Sequence, residues 1–171
     1  SGLSARLAAS DRCVARGALA VIPDRYTQKS MLDELGIATA PWRNLDRVED
    51  LADAAAEFGG VVVKARSGGY DGRGTWIVAD GGDLSAVPAE ELAGRAIVEK
   101  KIPFRRELSI VGARNPAGET LFYPLTRNWP VDGILRLSLA PANASAALQP
   151  EAENILRRIM EKLDYAGVMA V

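Results

Sequence analysis

The hydrophobic pattern is sharpest where Val61, Val62 and Val63 stand together. A short β-branched run of this kind predicts a buried strand, which Lys64 closes. Thr75, Trp76, Ile77 and Val78 return to strand-forming types. Between the two runs Gly68, Gly69, Gly72 and Gly74 fall within seven positions. The predicted unit is strand, glycine-rich loop, strand. Ala96, Ile97 and Val98 predict a second buried strand, which runs into Glu99, Lys100, Lys101, Ile102 and Pro103.

Helical spacing appears on both sides of this centre. Residues 24–35 read as a helix capped by Asp24, with Met31, Leu32 and Leu35 inward and Gly36 ending it. Residues 45–58 read as a helix with Val48, Leu51, Ala55 and Phe58 inward, stopped by Gly59 and Gly60. Between them residues 37–42 are extended, because Pro41 is excluded from a helix interior. Residues 81–83 form a turn, and 84–92 a short helix broken near Pro88. Residues 107–114 read as one strand, 115–118 as a hairpin turn and 120–124 as its return. Arg114, beside that turn, reads as solvated. Residues 126–136 read as a polar loop. Pro150 opens a last helix whose stripe is Ile155, Leu156, Ile159, Met160 and Leu163. Residues 167–171 begin a strand. At the other end, Leu3, Leu7 and Ala8 have helical spacing, and 18–22 is a strand candidate.

Composition narrows the chemistry. The 171 residues are 48% hydrophobic and 25% charged, with a formal net charge of −1. No global basic field favours nucleic acid or an anionic membrane surface. Arg127 and Trp129 could stack on a base, but without a basic stripe nucleic acid is a minor option. No apolar run is long enough to span a bilayer. Cys13 is alone, which excludes an internal disulfide framework and suits a reducing, cytoplasmic setting. The chain has no histidine, so Ser-His and Cys-His nucleophile designs are excluded.

The glycine-rich loop is the chemical candidate. It is not a P-loop, which needs a Gly-Lys-Ser/Thr run opening a helix. A dinucleotide fingerprint also needs a helix after its glycines, and Thr75–Val78 is a poor helix start. A flap over nucleotide phosphates fits better, because glycine lets backbone N–H groups approach phosphate oxygens. Lys64 would supply a point charge to phosphates, and Arg73 a forked donor to an anion. The bland alternative is a hairpin whose glycines only turn the chain. Glu99 could accept ribose hydroxyls or be an exposed strand-end charge. Arg25 and Lys29 lie four apart on one helix face and read, on pattern, as two solvated cations.

The run 64–76, Lys-Ala-Arg-Ser-Gly-Gly-Tyr-Asp-Gly-Arg-Gly-Thr-Trp, resembles the signature of the N5-carboxyaminoimidazole ribonucleotide synthases, an ATP-grasp family. Further blocks resemble it in the same order: Asp24-Arg25-Tyr26-Thr27-Gln28-Lys29, Ile97-Val98-Glu99, Arg106-Glu107-Leu108-Ser109, Phe122-Tyr123-Pro124-Leu125-Thr126 and Asp132-Gly133-Ile134-Leu135-Arg136. The likeness runs over residues 21–171.

The resemblance implies an α+β fold of ATP-grasp type, partial, with two α+β lobes and a glycine-rich flap. It implies that 1–23 is the tail of a preceding Rossmann-like domain and that 24–171 is the ATP-grasp domain, stopping short of its metal-binding carboxylates. It implies ATP and Mg2+ as cofactors, the metal ligands being expected beyond Val171, so that this stretch alone would be inactive. The implied reaction is ATP-dependent carboxylation of 5-aminoimidazole ribonucleotide with bicarbonate in purine biosynthesis, by a full-length homodimer. The implied nucleotide-site residues are Arg25, Lys64, Gly69, Tyr70, Asp71, Gly72, Arg73, Gly74, Thr75, Glu99, Lys100, Lys101, Ile102 and Glu107. Tyr70 and Arg73 are the candidates for the imidazole and bicarbonate side, and Lys29 is left as structural. Arg127 and Pro130 stand where many relatives carry an acidic residue and a histidine, so no contact is carried over to Pro130. Another ATP-grasp ligase, such as a formate-dependent glycinamide ribonucleotide transformylase or a biotin-carboxylase-like protein, is the alternative enzyme. A non-catalytic nucleotide-binding module is the alternative of another class.

Overall fold

The structure, a computed structural model, describes residues 21–68, 74–131 and 133–171. The chain divides into two compact units after Pro103.

The first unit is built on a four-stranded antiparallel sheet. Its strands are β1 (Trp42–Leu45), β2 (Val61–Ala65), β3 (Thr75–Val78) and β4 (Ala96–Lys100), in the spatial order β1-β4-β2-β3. The glycine-rich loop therefore joins two adjacent antiparallel strands, as the apolar runs predict. Two helices flank the sheet: α1 (Arg25–Glu34) and α2 (Glu49–Phe58). Strand residues alternate between faces, and Val63 stands opposite Val98 across the β2–β4 ladder. Those two join Leu45, Val61, Val78, Ala96, Leu51 and Ala54 in one buried apolar cluster, with Phe58 and Trp76 packed against it. Gly59 ends α2 at φ +76°, a left-handed conformation that a side chain would strain. A 3-10 turn (Leu84–Ala86) and the short helix α3 (Ala89–Leu92) flank Pro88, as expected.

Two sequence expectations fail here. Residues 45–58 are not one helix: Leu45 closes β1, fully buried opposite Ala96, and its carbonyl accepts the Gly94 N–H at 2.6 Å. The helix starts at Glu49, and Val48, expected inward, is 43% exposed. The strand-type hydrogen bonding of Leu45 overrides helical spacing that happened to include it. The strand candidate at 18–22 is also not borne out where the chain is described, since Val21 is helical and Ile22 and Pro23 form a turn. The Gln28 side chain donates to the Ile22 carbonyl there. The remainder of the expected tail, 1–20, lies outside the described residues.

The second unit, from Phe104 onward, carries two three-stranded antiparallel sheets and the helix α4 (Gln149–Lys162). The stretch 107–114 is two strands rather than one. β5 (Glu107–Ser109) and β6 (Val111–Arg114) part at the buried Ile110, whose backbone exchanges hydrogen bonds with Val171. β6 pairs with β7 (Thr120–Phe122) and with β10 (Gly167–Ala170). α4 packs on this sheet through Leu156, Ile159 and Met160. Gly112 is required at the contact, because a Cβ there would lie 2.7 Å from Phe122 and 2.9 Å from Leu156. Arg114 is not solvated: it donates to the Tyr165 carbonyl at 3.0 Å and to Asp164 at 3.3 Å.

The expected polar loop 126–136 is a correction as well. It is the hairpin of β8 (Thr126–Val131) and β9 (Ile134–Leu139), with β5 on the other edge of β8. Asn128 is buried and donates to Ser109 Oγ at 3.1 Å while accepting from Ser138 Oγ at 2.8 Å. Arg127 lies 4.4 Å over the Trp129 ring. Pro130 sits at a register shift in the β8–β9 ladder, the kind of position where a strand tolerates a residue without an N–H.

Candidate functional site

Register decides which side chains meet. Val62 and Glu99 are opposite one another across the β2–β4 ladder, Lys64 is opposite Ile97, and Trp42 is opposite Glu99 on the far side. The period of two therefore puts Lys64, Glu99 and Trp42 on one sheet face, the one away from the apolar cluster. α1 packs on this face. The Trp42 indole N–H donates to Asp33 of α1 at 2.9 Å, and its ring meets Tyr26 edge-on at 5.6 Å.

Lys29, one turn into α1, reaches Glu99 Oε1 at 2.6 Å, and Lys64 pairs with Glu99 Oε2. The side chains of Glu99, Lys29 and Lys64 are 7%, 15% and 35% exposed, a gradient from a buried carboxylate to a lysine that water still reaches. Burial pushes the Glu99 carboxyl up. The hydrogen bonds and charges of Lys29 and Lys64 outweigh that and hold it below the ordinary carboxylate value. Two ammonium groups thus share one carboxylate, which leaves an excess positive charge on this face.

The flap base is pinned beside this cluster. Asp24 caps α1 by accepting from Tyr26 N–H at 2.7 Å and Thr27 N–H at 3.2 Å. The same carboxylate receives a forked contact from Arg66, at 2.7 Å from Nη2 and 3.0 Å from Nε. Burial raises the Asp24 carboxyl, but Arg66 and the two backbone donors bring it below its usual value. The Arg66 guanidinium lies 4.7 Å over the Tyr26 ring. Arg25 donates from Nε to the Ala65 carbonyl at 3.0 Å and from its backbone N–H to the Arg66 carbonyl at 2.9 Å. The Ala65 N–H donates to the Gly74 carbonyl at 2.8 Å, closing the hairpin. The start of α1 is therefore a clamp on the strand that enters the flap.

Of the residues the sequence singles out, Arg25, Lys64, Gly74, Thr75 and Glu99 meet here. Thr75 is opposite Lys64 in the β2–β3 ladder. Lys64 does not close β2, which runs on to Ala65. Glu99 is not an exposed strand-end charge, since β4 continues to Lys100 and both carboxylate oxygens have lysine partners. Lys100, Lys101 and Ile102 lie at the other end of the β2–β4 ladder, where the Lys101 N–H donates to the Gly60 carbonyl at 2.8 Å. Glu107 opens β5 in the second unit, exposed and opposite Asn128. Gly69, Tyr70, Asp71, Gly72 and Arg73 lie outside the described residues. Sequence reasoning missed Lys29, Asp24 as a partner of Arg66, and Arg66 itself. The i, i+4 spacing of Arg25 and Lys29 was the available signal, but it says nothing of Glu99, 70 positions further on.

Among the described residues no group of three or more His, Cys, Asp or Glu side chains converges as a metal site. No helix among the described residues is long and apolar enough to cross a membrane.

Residues 30–171 match the ATP-grasp domain family. The chain is 46% identical over 156 residues to the N5-carboxyaminoimidazole ribonucleotide synthase of Haemophilus influenzae, covering 88% of this chain and 42% of that protein. It is 43% identical over 172 residues to the Escherichia coli protein of the same name, covering all of this chain and 48% of that one. The chain thus spans about half the length of these curated relatives. A solved N5-carboxyaminoimidazole ribonucleotide synthetase in complex with ADP superposes with a TM-score of 0.82 at 31% identity, over 91% of this chain and 42% of that one.

Proposed function

The chain belongs to the ATP-grasp domain family, and from that premise we propose that it is the nucleotide-handling part of an N5-carboxyaminoimidazole ribonucleotide synthase. One observation carries the reading beyond the family. Lys64 stands on the strand that enters the flap, on a sheet face where two lysines share one buried carboxylate. That face has positive charge to offer a polyphosphate. The relatives' names and the ADP complex supply the chemistry.

In this proposal Lys64 and Arg25 receive ATP phosphates, and the flap, with Gly74 and Thr75 at its return, closes over them. Glu99 to Ile102 border the nucleoside, and Glu107 contacts the nucleotide from its own strand. Transfer of the terminal phosphoryl group to bicarbonate gives carboxyphosphate and ADP. The amine of 5-aminoimidazole ribonucleotide then attacks the carboxyl carbon, and phosphate leaves. This chemistry asks the protein for positioning and charge neutralisation, not for a nucleophile, which accords with a chain without histidine. Tyr70 and Arg73 are proposed for the imidazole and bicarbonate side. Magnesium would be held by residues other than those described here. A homodimeric, cytoplasmic enzyme belongs to the same proposal.

The test is ADP formation by the full-length protein containing this chain, given ATP, magnesium, bicarbonate and 5-aminoimidazole ribonucleotide. Lys64→Gln is expected to weaken ATP use by about 1.5–3 kcal/mol, the worth of a hydrogen bond to a charged group. Unchanged ATP kinetics in the folded variant would overturn the assignment of Lys64. ATP turnover indifferent to the imidazole amine would replace this reading with another ATP-grasp ligase.

A further inference from the structure

Glu99 sits between two lysines that are not equivalent. Lys29 comes from the middle of a helix, is 15% exposed and holds Oε1 at 2.6 Å. Lys64 comes from the strand beside the flap, is 35% exposed and holds Oε2. Lys64 cannot be withdrawn toward a phosphate without cost if it is the sole partner of a buried carboxylate, because an unpaired buried charge is strongly destabilising. With Lys29 in place the carboxylate keeps a partner.

We propose that Lys29 is a positioning residue: the permanent counter-ion of Glu99, whose presence lets Lys64 exchange the carboxylate for nucleotide phosphate. Lys29 acts through Glu99 on Lys64 and touches no substrate. The inference rests on the assignment of Lys64 to phosphate made above, and it adds a residue that the flap motif does not contain. Without Lys29, Lys64 stays committed to Glu99, and nucleotide affinity falls even though every phosphate-contacting group remains.

The test is a double-mutant cycle on the full-length protein, with ADP as the titrated probe and thermal melting as the check on folding. Lys29→Gln and Lys64→Gln both leave an amide to donate to Glu99, which favours retention of the fold. Lys29→Gln is expected to raise the ADP dissociation constant by about tenfold when Lys64 is present. In the Lys64→Gln background it is expected to change it by less than about twofold, because coupled residues are non-additive. Lys29→Arg, which keeps the charge, is expected to bind ADP close to the parent level. Saturating ATP should restore kcat in Lys29→Gln, so that the defect sits in KM.

Three results would overturn the inference: additive losses in the cycle, an ADP affinity untouched by Lys29→Gln, or a loss in Lys29→Arg as large as that in Lys29→Gln. In each of these Lys64→Gln still weakens ADP, and the functional reading stands. If Lys64→Gln itself leaves ADP affinity unchanged, the phosphate assignment fails, and the inference fails with it.

Discussion

The two faces of the four-stranded sheet are made by the same strands and held by different physics. Against α2 the buried contacts are apolar: Leu45, Val61, Val63, Ala96 and Val98 meet Leu51 and Ala54, and the Arg43–Glu57 ion pair lies outside that core. Beneath α1 the central contact is ionic, Lys29 and Lys64 on Glu99. Burial of apolar area is non-directional and indifferent to ligands. A buried charge needs a partner at all times, so its energy depends on which cation is present and on any anion that competes for that cation. Alternate positions along β2 and β4 thus separate an apolar face from an ionic one, and in the proposed function only the ionic face responds to nucleotide.

The largest effect should come from breaking the ionic face. Glu99→Ala leaves two lysines with no carboxylate, and removing one partner of a buried pair costs about 3–5 kcal/mol. The partial exposure of Lys64 places the loss toward the lower end. A melting temperature like the parent's would mean that the ionic face adds no net stability. The pH dependence has a definite sign. Because the folded carboxyl is held below its ordinary value, its stabilisation is complete above the unfolded pKa of about 4.3 and is lost as pH falls through the folded one. In Glu99→Gln the acid-side loss in a urea-melt series should be smaller than in the parent, with a remainder from Asp24, whose carboxyl is also held low; an undiminished loss would assign it to other carboxylates.

The apolar face should respond in stability alone. Leu51→Ala is expected to cost about 2–5 kcal/mol, as for other buried leucines, while ADP affinity of the folded fraction stays unchanged. A selective loss of ADP binding would show that the two faces are not separable.

A smaller effect is expected at the flap base. Asp24→Ala removes the α1 cap at a cost of about 0.5–2 kcal/mol and strands Arg66. Asp24→Asn keeps a capping oxygen but not the charge for Arg66. If Asn restores melting yet leaves ADP affinity low, the Asp24–Arg66 pair orders the flap rather than only the helix. Equal recovery of both would reduce Asp24 to a cap. The smallest effect belongs to Val48→Lys, expected within about 0.5 kcal/mol of the parent in denaturant melts. A larger loss would restore Val48 to the α2 face, from which the structure removes it.

Local chemistry was readable without coordinates. The Asp24 cap, the stops at Gly36 and Gly59, and the β2–flap–β3 hairpin depend on residues close in sequence, and each formed as expected. The motif 64–76 and the order of the further blocks pointed to the ATP-grasp family, which the match over residues 30–171 bears out. Other features were decided by pairing at long range. Leu45 became a strand residue because β4 offers Ala96 opposite it. Residues 107–114 split because Ile110 turns its backbone to Val171. The expected polar loop became the strands β8 and β9 because β5 lies beside β8, with Asn128 bonded to Ser109 and Ser138.

The charges divide in the same way. That Lys64 precedes the flap is a property of the chain. That it shares Glu99 with Lys29 is a property of the fold, since the three come from β2, β4 and α1. Hydrophobic periodicity reports which side of an element is buried, and it carries no information about which distant charge a buried face will bring opposite. That requires the ladder register and the helix packed on it, which only the tertiary structure supplies.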